Sequence, residues 1–566
     1  MRLGEVFTRE ERLALVAPPG SIFSYKVTVP PEGRLRFGVG VLDSAQQGGA
    51  VQMQVRVRGG VETARVLFDR QVAAEVPGRW LDEEADLSGW SGKEVTLELV
   101  ALAGARQGLV AAWSSPYLAS VRGPDVRGAE PAGRRAQETR PNIVWISLDT
   151  LRADHLGVYG YARPTSPNLD AFAARGLQFQ WAISQAPWTR PSHRSMLTGV
   201  YPASRGGLDS PMIGEVLYRA GYQTFAVTGG GQVDSTLGFD RGFEIYRVWD
   251  WIHEPQKMVD WAAARSKRSE RPFFAFLHCY ETHEPYTHTR FAEGLPSGRL
   301  TGEFSKEIWN RLRKRFSDEE QRYAEALYDG DIAYTDARLG EFFAGFESAG
   351  LFADSIVIVT SDHGEQFWEN GSWGHGQNLH DHQIHVPLLV FLPESVRENL
   401  TRESRAKGKG SALTQGAIED QVELIDIYPT LLDLLGVALE SPVNGRSLVS
   451  LLEGQGSLPA REAFAEHTNV KENEQKALRT PRFKFITSIP RKSSDSRDES
   501  YELYDLKRDP GEQTNLAPGL AARVVELRAK LGRIMDGSDT TRDEEVPAGI
   551  DDDLRNQLKA LGYIGN

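Results

Sequence analysis

The sequence is short of several things, and each shortage excludes something. Among 566 residues there is one cysteine, Cys279, so no disulfide can form within the chain. A single thiol does not set the compartment, because proteins without disulfides also exist outside the cell. No apolar run approaches the length of a bilayer-spanning helix. Positive charge is in deficit: 65 Lys and Arg against 78 Asp and Glu leave a net charge of -13. Nucleic-acid phosphates would be repelled, and no Lys/Arg block reverses the argument. The start, "MRLGEVFTREERLALVAPPG", lacks the basic residues and apolar core of a signal peptide. The expectation is a cytoplasmic protein as the sequence stands, or an extracytoplasmic one whose signal has been removed.

What is present fits a soluble globular profile, with 40% hydrophobic and 25% charged residues. The length asks for two or three domains. From residue 20 to about 121, stretches such as "RLRFGVGVL", "VQMQVRVRG", "ARVLFDRQV", "EVTLELVAL" and "LVAAWSS" alternate with a period near two. Gly, Asp and Pro separate them, which predicts a β-sandwich over 1–121. The piece "WLDEEADLSGWSGKEVTLELVAL" resembles the late strands of a galactose-binding-like jelly roll. Such a domain hints at a glycan or other polymer, although a packing role is the expectation placed first. Residues 122–140 are rich in Gly, Pro and charge and read as a linker.

At "PNIVWISLDT" the pattern changes to fully apolar strands alternating with helices. "YQTFAVTG", "PFFAFLHCY", "SIVIVTSDHG" and "VPLLVFLP" read as buried strands. "SPNLDAFAARG", with a Ser cap, "LYDGDIAYTDARLGEFFAGFESAG" and "IEDQVELIDIYPTLLDLLGV" read as helices. This predicts a doubly wound α/β domain over 141–440. A smaller α+β region over 441–566 follows, closing with a docking helix at "DDDLRNQLKALGYIGN".

In an open parallel sheet, ligands gather at the carboxyl ends of the strands. Two strands there end in acid: one delivers Asp149, the other Asp362 and His363. Carboxylate and imidazole are what a divalent cation takes. A lone Asp at a strand end is more often a cap, but two at matching places, one followed by His, favour a metal. In "WTRPSHRSMLTG", Thr189 opens a helix, where free N–H groups favour an anion; an ordinary cap is the plainer reading. Five of the twelve histidines (His363, His375, His380, His382 and His385) crowd into 23 residues, and His278 and His283 follow another strand. Some of them are expected to line one cleft. His375, between Gly374 and Gly376, can approach a ligand closely.

Together these segments resemble the sulfatase family of the alkaline phosphatase superfamily. The resemblance covers about residues 140–566 and rests on ordered motifs. "PNIVWISLDTLRADHLGVYGY" is similar to the family's opening strand and metal-binding turn, and "PWTRPSHRSMLTG" to its C/S-x-P-S-R-x-x-x-L-T-G signature. "FLHCYETHEPY" resembles H-x-x-x-P-H-x-P-Y, and "SDHGEQFWENGSWGHG" the second metal-binding segment. "YELYDLKRDPGEQTNLA" and "LKALGYIG" are similar to its end.

The resemblance implies a divalent cation (Ca, Mg, Mn or Zn) bound by Asp149, Asp362, His363 and Thr189. It places Thr189 in the nucleophile position and implies that His283 and His375 touch the anionic group or protonate the leaving oxygen. Three departures matter. Thr150 stands where many members have a second metal-binding Asp. His193 stands at the signature Arg, with Arg194 adjacent as a substitute for catalysis and substrate binding. Thr189 cannot become formylglycine, as the family's Cys or Ser does. Formylglycine expels sulfate through its second hydroxyl; a sulfo-threonine has no such exit, whereas a phospho-threonine can be hydrolysed at phosphorus. The expected function is therefore a metal-dependent hydrolase of phosphate mono- or diesters. The alternatives are a sulfate-ester hydrolase working without formylglycine and a catalytically silent binding protein. The expected partner is an anionic ester, with a glycan or a lipid as its carrier. A second cation held by His283, Glu281 and His375 is a further expectation.

Overall fold

The computed structural model describes residues 9–119 and 140–535, apart from 13, 31–32, 44–48, 60–62, 75–79, 103–108, 205–209, 269–270, 314, 407–412, 455–457, 460, 468–472 and 491–498. The expected linker over 122–140 falls almost wholly outside the described residues, as does the expected closing helix over 551–566.

Apolar strands buried on both faces build the centre of the molecule. Five run parallel, in the order Ile245–Val248, Gln223–Thr228, Phe273–Cys279, Asn142–Leu148 and Ser355–Ser361. Both faces need cover, because strands such as Asn142–Leu148 and Phe273–Cys279 are buried at every residue. One face packs against Pro167–Ala173, Pro255–Arg268 and the long helix Asp318–Ser348. The other packs against Thr189–Thr198, Ile213–Arg219, Glu394–Ala406 and Ile427–Leu434. The sheet continues as a mixed sheet: Leu388–Phe391 is antiparallel to Ser355–Ser361, and Leu177–Ile183 is antiparallel to it in turn. The doubly wound expectation holds at the core, and the mixed edge extends it.

One segment departs from its expectation. "IEDQVELIDIYPTLLDLLGV" is not one helix: Gly416–Glu423 is a strand parallel to Leu177–Ile183, and only Ile427–Leu434 is α-helical. The edge of Leu177–Ile183 offered unpaired backbone groups, and pairing them outweighed local helix preference.

The N-terminal region forms two four-stranded antiparallel sheets around a shared core that includes Trp113, Phe37, Met53 and Leu97. This is the expected sandwich. The strand Arg9–Arg12, within the expected 1–121 span, belongs elsewhere: it pairs antiparallel with Ile245–Val248 and extends the central sheet. Ala14–Ala17 then enters the sandwich. A few residues of chain thus stitch the two bodies together. The C-terminal region is an antiparallel sheet of Ala463–His467, Asn473–Arg479, Phe483–Pro490 and Ser500–Asp505, with Ala521–Met535 packed on it through Val524, Leu527 and Leu531.

The long helix also carries the loop that follows Phe273–Cys279. Gly330, in mid-helix, lies under that loop, and a Cβ there would collide with the carbonyl oxygen of His288. Alanine would gain about 1 kcal/mol in helix propensity, but the overpacking costs more, of order 1–3 kcal/mol on top of that gain. Gly330→Ala should therefore lower the urea unfolding midpoint; an unchanged or raised midpoint would contradict this packing.

Candidate metal and nucleophile site

The central strand Asn142–Leu148 lies between Phe273–Cys279 and Ser355–Ser361, and all three end on the same edge. Asp149 follows the first and Asp362 and His363 follow the third, so the register alone sets the carboxylates side by side. Thr189 is the first residue of its helix, with Trp188 at the cap in an extended conformation and no capping side-chain bond. The threonine hydroxyl is thus not used as a helix cap. It donates to Asp149 Oδ2 at 3.2 Å and lies 3.3 Å from His363 Nε2. His363 Nε2 is also 3.6 Å from Asp149 Oδ1 and 3.4 Å from Asp362 Oδ2. All four residues are fully buried.

These separations suit four donor atoms around a small divalent ion bound at about 2.0–2.2 Å. Two buried oxygens of the set, Asp149 Oδ1 and Asp362 Oδ2, have no hydrogen-bond partner among the described residues. Buried carboxylates are paired or bind metal, so the donor set fits the expected cation. His363 Nδ1 is tied to the Gly364 carbonyl at 2.8 Å, which leaves the Nε2 lone pair facing the cluster.

Charge is uneven across the pair. Burial, then the neighbouring Asp362, push the Asp149 carboxyl well above its ordinary range, although the Thr189 bond opposes them. Burial works in the same upward direction on Asp362, but His363 and His193 outweigh it and hold that group low. Burial brings His363 down to about 4 against the pull of Asp362, so its ring is neutral at ordinary pH.

Thr150 does not replace the missing carboxylate. It sits in the left-handed region at φ 57°, donates its hydroxyl to Thr282 O at 2.6 Å and its N–H to Asp362 Oδ1 at 3.3 Å. It braces the turn rather than facing the donor set.

His283 and His375 are brought together as expected, with ring centroids 4.9 Å apart, and His375 lies 4.7 Å from His363. Burial and then His375 drive His283 down to about 3, and its Nδ1 is engaged by the Glu284 carbonyl at 2.8 Å. His375 Nδ1 is held by Glu365 at 3.2 Å. Burial opposes the charge on Glu365, but His375 and Tyr286 outweigh it, the latter donating at 2.6 Å. The turn carrying His375 is fixed by the Gly376 N–H on Pro187 O, beside the Thr189 loop; Gly374 and Gly376 both have positive φ, which explains the glycines.

Other residues go elsewhere. Arg194 is not in the cluster: its guanidinium lies over Phe239 and donates to Leu237 O. One position along the helix turns a side chain by about 100°, so Arg194 leaves by a different face from its neighbour at 193. His193, one turn after Thr189, is buried behind the cluster, against Ser147 and Asp362. Glu281 joins Asp250 and His253 instead of His283 and His375. His380 and His385 face Tyr504 and the Gln180 carbonyl. Residues not singled out for a role are also present: His278, whose Nε2 is 3.5 Å from Asp149 Oδ2, and Glu365, which orients His375. A histidine interrupting the apolar run "FFAFLHC" was the available signal for the first.

Residues 141–437, just over half of the chain, match the family model described as Sulfatase. The chain belongs to the sulfatase family. Residues 370–536 also match the model described as N-sulphoglucosamine sulphohydrolase, C-terminal. Among sulfatase relatives, an arylsulfatase of Clostridium perfringens is 25% identical over 481 residues, covering 70% of this chain and 95% of that protein. Arylsulfatase K of Mus musculus is 30% identical over 471 residues, covering 70% and 79%. In fold, a protein solved with its substrate D-glucosamine-2-N,6-O-disulfate aligns with TM-score 0.54 and 18% identity, over 70% of this chain and 98% of its own. The phosphonate monoester hydrolase of Agrobacterium radiobacter aligns with TM-score 0.51 and 22% identity, over 70% and 96%. The chain is therefore a sulfatase-family hydrolase with an α/β core of that kind.

Because burial and Asp362 raise the Asp149 carboxyl well above its ordinary range, binding a divalent cation there should release protons. Affinity should rise with pH through the raised Asp149 range, and fall on the acid side as His363 protonates near pH 4. Titration calorimetry in two buffers of different ionisation enthalpy should show proton release, lost in Asp149→Asn. Equal heats in both buffers would contradict the raised carboxyl.

Proposed function

We propose that the chain is a metal-dependent phosphoester hydrolase in which Thr189 is the nucleophile. The observation that carries this reading is the placement of the Thr189 hydroxyl, which points into the donor set of Asp149, Asp362 and His363 instead of capping its helix. A bound divalent cation would supply positive charge for an ionised hydroxyl and for the transferred anionic group. Asp149, Asp362, His363 and Thr189 would hold it.

The chain's own residues divide the remaining work. The Thr189 oxygen forms a bond to phosphorus while the bond to the leaving alcohol oxygen breaks. His375, held through Nδ1 by a charged Glu365, delivers a proton to that oxygen, in the manner of carboxylate–histidine pairs. His283, tethered through Nδ1 to the Glu284 carbonyl, packs beside His375 and helps orient it toward the transferred group. Water gives a proton back to His375 and attacks phosphorus, the phospho-threonine bond breaks, and the phosphate product leaves with the ionised Thr189 oxygen restored. The same path fails for sulfate, because a sulfo-threonine has no second hydroxyl to expel it.

The second reading is a sulfate-ester hydrolase in which water attacks directly and Thr189 only binds metal. Its support is the naming of the relatives, which are arylsulfatases at 24–30% identity. The fold neighbours include phosphonate monoester hydrolases as well as the disulfated-glucosamine protein, so fold does not choose. The carrier of the ester is proposed to be a glycan or a lipid.

Aryl phosphomonoester, phosphodiester, phosphonate and sulfate substrates, assayed under one metal condition, separate the readings. A phosphorus ester should be preferred. Thr189→Ala should lower kcat by about three orders of magnitude or more, and Thr189→Ser should retain measurable turnover. Preference for the sulfate ester, or full activity in Thr189→Ala, would overturn the proposal.

A further inference from the structure

Behind the donor set lies a second group that shares one residue with it. His193, His278 and Asp362 present ligand atoms that all lie within 4.8 Å of one another, and all three are fully buried. His278 stands near the end of Phe273–Cys279, and neither of its ring nitrogens makes a hydrogen bond among the described residues. Its ring packs edge-on against His193, with centroids 4.8 Å apart. Asp362 Oδ2, also without a hydrogen-bond partner, is 3.3 Å from His193 Nδ1. A buried imidazole with both nitrogens idle, beside an idle carboxylate oxygen, is what remains when the cation of a His–His–carboxylate site is left out.

We propose that the chain binds a second divalent cation at His193, His278 and Asp362, with Asp362 common to both ions. The proposal rests on the metal-dependent reading above and deepens it, from one ion to two. The donors are two imidazoles and one carboxylate, a set that favours a first-row ion of the zinc class over calcium or magnesium. The 3.3 Å edge between His193 and Asp362 already matches the spacing of donors at about 2.0–2.1 Å from zinc. The other edges are longer and contract on binding.

The surroundings are prepared for it. His193 Nε2 is 3.0 Å from Ser147 Oγ. With the proton on Nε2 and donated to Ser147, the Nδ1 lone pair is turned to Asp362 and to the Thr189 carbonyl, 2.9 Å away. The carbonyl belongs to the nucleophile residue itself, so the second ion would sit directly behind Thr189. This gives the departure from the signature a physical sense: where the family places a fixed arginine charge, this chain places an imidazole and leaves the charge to an ion.

The test is metal stoichiometry on the full chain, stripped with chelator and reloaded with zinc alone, then read by elemental analysis. Wild type should hold two ions per chain. His278→Gln and His193→Gln should each hold one, and Asp149→Asn should lose the other. Circular dichroism confirms that each variant is folded. A second measurement needs no variant: loaded with manganese alone, wild type should give the electron paramagnetic resonance signal of a coupled pair. One ion with an isolated signal, unchanged in His278→Gln, would overturn the second site and leave the first intact. Two ions retained in both histidine variants would overturn it as well. No bound ion in wild type would overturn both readings.

Discussion

Two carboxylates that the sheet forces together in a dry pocket set the terms for everything around them. Asp149 and Asp362 follow adjacent parallel strands in register, and neither has a solvent-exposed atom to spare. Such a pair cannot hold two negative charges without compensation. In the free protein burial and Asp362 raise the Asp149 carboxyl well above its ordinary range, and His363 and His193 lie against Asp362. A cation compensates better, and the remaining side chains are arranged as if for one.

From this constraint the reach of each element follows. The helix that begins at Thr189 enters with its first hydroxyl on the carboxylates and its next turn, at His193, beneath them. The glycine-flanked turn at His375 is tied to the loop before Thr189 through Gly376 and Pro187. The C-terminal sheet adds a further brace, because the Glu466 N–H bonds to Gln185 O in that same loop. The long helix supports the loop bearing His283 through the close approach at Gly330. The strand Arg9–Arg12, which precedes the sandwich, pairs with the edge strand Ile245–Val248 of the central sheet.

Much of this is legible in the chain itself. Asp149, Asp362 and His363 stand out because each closes a fully apolar run, and such runs in an α/β protein are buried strands whose ends face the ligand side of the sheet. The start of the helix at Thr189 is legible from "TRPSH", and the sandwich from its period of two. What stays hidden depends on contacts between distant segments. Residues 418–423 form a strand because a sheet edge is there to receive them, a fact absent from their own pattern. Arg194 looks interchangeable with its neighbour at 193 because spacing along a chain does not show which face of a helix is turned inward. Glu281 is near His283 in the chain, yet it pairs with His253. His278 lies in plain view, but that its ring nitrogens have no hydrogen-bond partner among the described residues shows only in three dimensions.

The central claim is that Thr189 takes the transferred group onto its own oxygen. Rapid acid quench of the metal-loaded chain with a slow aryl phosphoester, followed by peptide mass spectrometry, tests it directly. The account predicts a single phosphate on the peptide carrying Thr189, formed and lost at rates that match turnover. Steady turnover with Thr189 never modified would contradict it.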